Sequence, residues 1–381
     1  MKLSKKHNGA ELTIFSEMSA LAQKNNAVNL SQGFPDYEID EKLKKLLARA
    51  TNQNHNQYAP LSGNPLLIEN LITFNKNRKK SLAFSKEEIT VIPGATYGIY
   101  AALTTILEPG DEVIVFEPCY DSYVPSIEMN GGIPIFVQLD ENFELNWDEF
   151  ENAISEKTRA VIVNSPHNPT GKIWTEENIE KFYSYIKDTE IIVISDEVYD
   201  QLVYDNYEFY SMFHHPELKK RCFSIFSFGK MFHITGWKIG YIVADEKLMK
   251  AFRSVHQYMM FCVNSPAQFA LAKYLEIFDV EENRKIMQNR RDLFMDLMKE
   301  TPFEFTDLAN GSYFQVANFK NINDKMTDKE FAVWLTENYK VATIPISAFY
   351  HNQKNTGNIR FCFAKKEETI IKAVENLRQL N

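Results

Sequence analysis

The sequence predicts an α/β fold. A large domain with a mostly parallel sheet, covered by helices on both faces, is joined to a smaller α+β domain. Three observations carry this expectation. Short β-branched apolar runs recur through the middle of the chain, each followed by turn residues. Helical patterns such as Glu176–Ile186 separate them, which is the alternation of βαβ units. From about Lys285 the pattern changes to a long amphipathic helix followed by isolated strands.

Taken in order, residues 1 to about 40 precede the sheet and are expected to join the C-terminal part. The division is then 1–40 for the arm and part of the small domain, 41–284 for the large domain, and 285–381 for the rest of the small domain. Ile89–Ile92 reads as a strand and Ala95–Leu107 as a helix. Val113–Phe116, Ile135–Leu139, Ala160–Val163, Ile191–Ile194 and Phe223–Phe226 read as strands of the buried type. Gly240–Ala244 follows too closely for a crossover helix, so it is expected to run antiparallel. Past Lys285, residues Ile286, Met287, Arg290, Leu293, Phe294 and Leu297 keep the i, i+3/i+4 spacing of one helix face. Tyr313–Val316 reads as a strand, and Thr327-x-x-Glu330 as a capping box opening a helix through Trp334 and Leu335. Ile359–Phe363 is a further strand before a last helix.

Bulk properties narrow the function. A chain of 381 residues suggests about two domains. A net charge of -9 argues against a nucleic-acid partner. Met1–Lys6 carries three lysines, but no apolar stretch follows, and no run approaches membrane-spanning length. Cys119, Cys222, Cys262 and Cys362 match neither zinc nor redox spacing, so no metal is expected and a reducing cytoplasm is.

Ligands of open α/β sheets bind beyond the carboxyl ends of the strands, and polar residues of matched chemistry gather there. Lys230 lies in Ser227-Phe-Gly-Lys230, just past a buried run, where a lysine can form a Schiff base with an aldehyde cofactor. Ser227 and Lys238 are a hydroxyl and a cation suited to a phosphate. Pro93-Gly94-Ala95-Thr96 opens a helix whose N–H groups can hold the same anion. Asp196, at a buried strand end, needs a cationic partner such as a protonated ring nitrogen. Tyr199 and Asn168 can reach a ring hydroxyl, and Tyr120 can stack on a planar ring. Arg360, inside an apolar strand, needs an anion such as a substrate carboxylate. Each feature alone also reads as a plain turn, helix cap, core aromatic or salt bridge. Few cofactors other than pyridoxal phosphate need the whole set.

The ordered motifs Asn168-Pro-Thr-Gly, Asp196-Glu-Val-Tyr199, Ser227-Phe-Gly-Lys230 and Gly236-Trp-Lys238-x-Gly240 resemble the class I/II aminotransferases of pyridoxal-phosphate fold type I over nearly the whole chain. Asn29-Leu-Ser-Gln-Gly33-Phe-Pro-Asp-Tyr, Asn56-Gln-Tyr58-Ala-Pro and Val255-His-Gln-Tyr are similar to the branch of methionine aminotransferases, kynurenine aminotransferases and glutamine transaminase K. The flanks beginning at Thr13 and Phe361 look closest to methionine aminotransferases.

The resemblance implies pyridoxal 5'-phosphate held by Lys230, with Asp196 at the pyridine nitrogen, Asn168 and Tyr199 at the ring hydroxyl, and Tyr120 on the ring. It implies Ala95, Thr96, Ser227, Lys238 and a partner subunit's Tyr58 at the phosphate, hence a homodimer with shared active sites. Arg360, Asn168 and the Gly33 N–H would take the substrate α-carboxylate, while Phe15 and a partner subunit's Phe261 would line the side-chain pocket. Lys230, Asp196 and Tyr199 are the expected catalytic set.

Kynurenine-type members tend to have Trp at the position of Phe15 and His at that of Cys262, which points toward methionine or another apolar or aromatic donor. The alternatives are a kynurenine or glutamine-type transaminase, a cysteine S-conjugate β-lyase on the same scaffold, and a non-catalytic cofactor-sensing regulator. The last conflicts with the net charge and with a sheet that begins near residue 89.

Overall fold

The structure is a computed structural model that describes residues 13–380. The reading of Met1–Lys6 lies outside the described residues. The described chain opens with the helix Ile14–Lys24 and a two-residue strand, β1 (Val28–Asn29). Helices Glu41–Asn52 and Pro65–Lys76 follow, neither of them foreseen.

Seven strands then build one sheet: β2 (Ile89–Ile92), β3 (Glu112–Glu117), β4 (Ile133–Gln138), β5 (Thr158–Asn164), β6 (Ile192–Asp196), β7 (Cys222–Ser227) and β8 (Gly240–Ala244). Their spatial order is β2-β8-β7-β6-β5-β3-β4. All neighbouring pairs are parallel except those made by β8, which is antiparallel to both β2 and β7 as expected. Alternation along each strand serves two buried faces. Val113 and Val115 pack with the helix Ala95–Ile106 on one face, while Ile114 and Phe116 pack with the helices Trp147–Ala153 and Glu176–Ile186 on the other.

One strand departs from the expected buried type. β4 is the edge strand, half-exposed over most of its length, and it begins at Ile133 rather than Ile135. Pro134 costs no ladder bond there because an edge strand has an unpaired side.

The remaining elements form a second core. Helix Val280–Met298 starts five residues before Lys285, capped by Asp279, so a boundary at 284 would fall in its first turns. Its buried face is Met287, Arg291, Phe294 and Met298, while Ile286 points outward. Arg291 is tolerated inside because its guanidinium pairs with Asp205 and Asp292. Strands β9 (Phe314–Asn318), β10 (Val341–Ala342), β11 (Ile344–Pro345) and β12 (Asn358–Cys362) follow. β11, β12 and β9 make an antiparallel sheet, and β10 pairs in parallel with β1. Met18 and Leu30 of the N-terminal segment share one apolar cluster with Phe294, Phe331 and Phe361. The Thr327/Glu330 capping box forms as read, opening the helix Asp328–Asn338. Among the described residues no helix is long and apolar enough to cross a membrane.

Candidate active site

The sheet topology dictates where the site lies. β2, β3, β5, β6 and β7 deliver their carboxyl ends to one edge, and β8 starts there because it runs the other way, pairing Gly240 with both Ser227 and Ile92. Residues just before Gly240 therefore meet residues just after Ile92. Lys238 takes the left-handed conformation at φ 50°, and Gly94 has φ 89°. A Cβ on residue 94 would lie 3.4 Å from Lys238 Nζ, so the lysine ammonium stands directly over the turn. Gly94 gives no side-chain cap to the helix Ala95–Ile106. The Ala95 and Thr96 N–H groups of its first turn remain available to an anion beside that cation.

These residues line a cavity of about 440 Å³ together with Gly33, Tyr120, Asn168, Asp196, Tyr199, Ser227, Lys230, Phe15 and Arg360. Lys230 sits in the short helix Phe228–Met231 that follows β7, and burial pushes its ammonium down to about 8. Its Nζ donates to the Gly33 carbonyl at 3.0 Å and lies 5.3 Å from the centre of the Tyr199 ring. Asp196 ends β6. Burial raises its carboxyl to about 6, against the opposing pull of hydrogen bonds from the Tyr123 hydroxyl and the Val198 N–H. Tyr123 Oη donates to Asp196 Oδ2 at 2.6 Å. Asn164 locks two strand ends together: its amide donates to the Asp196 carbonyl, and its Oδ1 accepts the Asn168 N–H, both at 2.8 Å.

Arg360 on β12 reaches in from the second core. It is 1% exposed, and burial pushes its guanidinium down to about 10. Nη1 donates to Asn168 Oδ1 at 2.7 Å and Nη2 to the Ser31 carbonyl at 2.8 Å, but Nε has no partner. The guanidinium lies 3.9 Å from the Phe314 ring centre and 5.4 Å from that of Phe15. Among the described residues neither the buried Arg360 nor the half-buried Lys230 has a carboxylate within ion-pair distance, which suits the pair to an anionic or reactive ligand.

Tyr58 and Phe261 are the expected site residues that this chain does not bring to the cavity. Tyr58 is 81% exposed and rests edge-on against Phe261, ring centres 5.4 Å apart. The structure adds residues that the sequence reading left out. Tyr123, three residues past Tyr120, opens the helix Tyr123–Met129. Phe349 stacks edge-on against Phe15 at 6.0 Å, and Tyr313 donates its hydroxyl to the Lys230 carbonyl at 2.5 Å. Both come from distant parts of the chain with no local signal. A second cavity of similar volume lies between Arg78 and Arg284, but its guanidiniums are already paired with Asp200 and Glu281.

The sequence profile of the family described as aminotransferase class I and II matches residues 25–377. The chain belongs to this family. It is 41% identical to methionine aminotransferase of Escherichia coli strain K12 over 372 residues, covering 97% of this chain and 96% of that protein. Kynurenine–oxoglutarate transaminase 3 of Rattus norvegicus is 31% identical, covering all of this chain and 90% of that one. Among solved structures, the Escherichia coli protein YbdL, described as having a methionine aminotransferase function, superposes with a TM-score of 0.96 at 39% identity over the full length of both chains. The fold is thus that of a fold type I aminotransferase.

The donor set of this aminotransferase fits pyridoxal phosphate. The Gly94 turn under Lys238 has room for a phosphate where a side chain would intrude. Among the described residues no cationic side chain lies within ion-pair distance of Asp196, and a protonated ring nitrogen would provide that partner. Lys230 is a half-buried amine lining the same cavity.

Proposed function

We propose that this aminotransferase uses pyridoxal 5'-phosphate to move the amino group of an apolar or aromatic L-amino acid, with methionine favoured, to a 2-oxo acid in a ping-pong reaction. The observation that carries the reading is the convergence of Lys230, Asp196 and Arg360 on one cavity from three different elements. Bound pyridoxal phosphate supplies an aldehyde that exchanges amines and a ring that withdraws electrons from the substrate Cα.

The chain's own residues do the rest. Ser227, Lys238 and the Ala95 and Thr96 N–H groups hold the phosphate, and Tyr120 covers the ring. Asp196 keeps the ring nitrogen protonated. At ~3 Å and an effective dielectric of ~20 that attraction is on the order of 5 kcal/mol before desolvation. Tyr123 holds Asp196 in place from behind. Tyr199 and Asn168 bond the ring hydroxyl. Arg360, Asn168 and the Gly33 N–H grip the α-carboxylate, which orients the Cα–H bond toward Lys230. The Lys230 amine would take the proton from Cα of the donor amino acid and, in the second half-reaction, deliver one to Cα of the amino acid formed from the oxo acid. An amine that burial has brought down to about 8 gives up its proton far more readily near physiological pH than an ordinary lysine does, which suits it to act as a base.

Relatives support the donor class. Phe15, backed by Phe349, puts an apolar face on the cavity, which suits an apolar or aromatic side chain. We place the protein as a cytoplasmic homodimer in which the partner's Tyr58 completes the phosphate site, and divide it into domains at about residue 40 and just before the helix that opens at Val280. A panel of amino donors against two or three oxo acids, read as kcat/KM, tests the reading. Methionine and aromatic donors should lead. Preference for aspartate or glutamate by an order of magnitude would overturn the donor class, and pyruvate with ammonia as main products would point to the β-lyase instead.

A further inference from the structure

Lys365 is 3% exposed, yet among the described residues no carboxylate lies within ion-pair distance of it. Its Nζ donates to two backbone carbonyls, Phe34 at 2.7 Å and Gln32 at 3.3 Å, and stands 5.2 Å from the Phe34 ring centre. The carbonyls between and beside these are taken by the two cations of the cavity: Ser31 by Arg360 at 2.8 Å and Gly33 by Lys230 at 3.0 Å. Four consecutive carbonyls therefore face three cationic side chains, of which Arg360 and Lys365 are buried. A buried ammonium held by carbonyls alone is expensive in free energy compared with an apolar side chain of similar length. Stability alone does not explain its presence.

Geometry supplies a reason. Apart from these carbonyls, the Gln32–Phe34 strap is tied by the Gln32 side-chain amide, which donates to the Phe15 carbonyl at 2.8 Å and to the Ser19 hydroxyl. Gly33 lines the cavity and lies flat on Phe314, where a Cβ would come 2.7 Å from Cζ. Phe314 is also the ring on which Arg360 rests. β12 carries Arg360, and the chain leaving it carries Lys365, so one element delivers the guanidinium to the front of the strap and the ammonium to its back. The far end is pinned by Asp36, which accepts the Lys366 N–H and the Thr369 hydroxyl, both at 2.6 Å.

We propose that Lys365 is a positioning residue for the substrate α-carboxylate: it fixes the strap so that the Gly33 N–H meets the carboxylate gripped by Arg360. The inference rests on reading Arg360, Asn168 and Gly33 as the carboxylate clamp.

The test is Lys365→Met in the holoenzyme. KM for methionine should rise about tenfold with kcat within about threefold, the mark of lost ground-state binding. The dissociation constant of 3-phenylpropanoate, followed through the cofactor absorbance, should rise by about the same factor. The affinity of 3-(methylthio)propylamine, which has methionine's amine and side chain but no carboxylate, should stay unchanged, and the melting temperature should not fall. Equal loss for the amine, or unaltered carboxylate affinity, overturns the proposal. Should the methionine variant fail to fold, Lys365→Gln takes its place with the same carboxylate-selective loss expected and the same overturning results. Arg360→Lys is measured alongside. If it leaves carboxylate affinity intact, the clamp reading fails; if it weakens affinity while Lys365→Met does not, only the strap inference fails.

Discussion

Lys230 holds its amine inside the cavity, half-buried, and the loss of solvation there shapes its titration. Its ammonium is pushed from 10.5 down to about 8. Between those values the unfolded chain binds a proton that the folded chain does not, so the stability of cofactor-free protein should rise with pH across this window, and the full penalty applies below about 8. Thermal denaturation of cofactor-free wild type and Lys230→Met at several pH values checks this. The variant should melt higher at neutral pH and lose the rise. Parallel curves would show that the lysine is not buried as a charge. Asp196 is the complementary case. Asp196→Ala should lower kcat by about a hundredfold or more while weakening cofactor binding less, because the carboxylate acts on the ring charge more than on the phosphate anchor. Single-turnover rates and cofactor titration separate the two. The residue types were legible in the sequence because buried strand ends that carry Lys, Asp and Arg demand partners. Tyr123, Tyr313 and Lys365 were not, since an aromatic or a lysine next to an apolar run carries no mark of what it will face.

At the scale of elements, the phosphate site exists because one strand runs against the others. β8 returns to the edge where β2 and β7 end, and this brings Lys238 over Gly94. Close approach of β7 to β8 depends on Gly240, where a Cβ would meet the Phe226 carbonyl oxygen at 2.3 Å. Gly240→Ala should therefore cost about 3 kcal/mol of stability and release cofactor more readily, seen as a lower melting temperature and a faster loss of absorbance. Unchanged melting would mean that the pair relaxes without cost. The antiparallel direction of β8 followed from the short connection before it. The early start of the helix at Val280 did not, because Asp279 caps it through a hydrogen bond to the Glu282 N–H, upstream of the apolar stripe that marked the helix.

For the whole molecule, the exposed aromatic group matters most. Tyr58, Tyr258, Met259, Met260 and Phe261 are all exposed in the single chain, a concentration of large apolar side chains that water does not favour. If a partner chain covers them and lends Tyr58 to the neighbouring site, two crippled variants should complement each other. Lys230→Ala and Tyr58→Ala homodimers should each be weak. Unfolded and refolded together, they should regain activity, because the mixed dimer holds one intact site. No regain at any mixing ratio would separate Tyr58 from the partner's site.

The sequence by itself determined the class of sheet, the direction of its last strand, and which residues would gather at its carboxyl edge. These depend on local hydrophobic periodicity and on the energetic demand of buried charge, both written along the chain. Only the tertiary structure decided what lies behind those residues. Tyr123 under Asp196, Phe314 under Arg360 and Lys365 behind Gly33 are contacts between segments separated by up to 333 positions. Their pairing is set by how two cores pack against each other, and no local pattern records that.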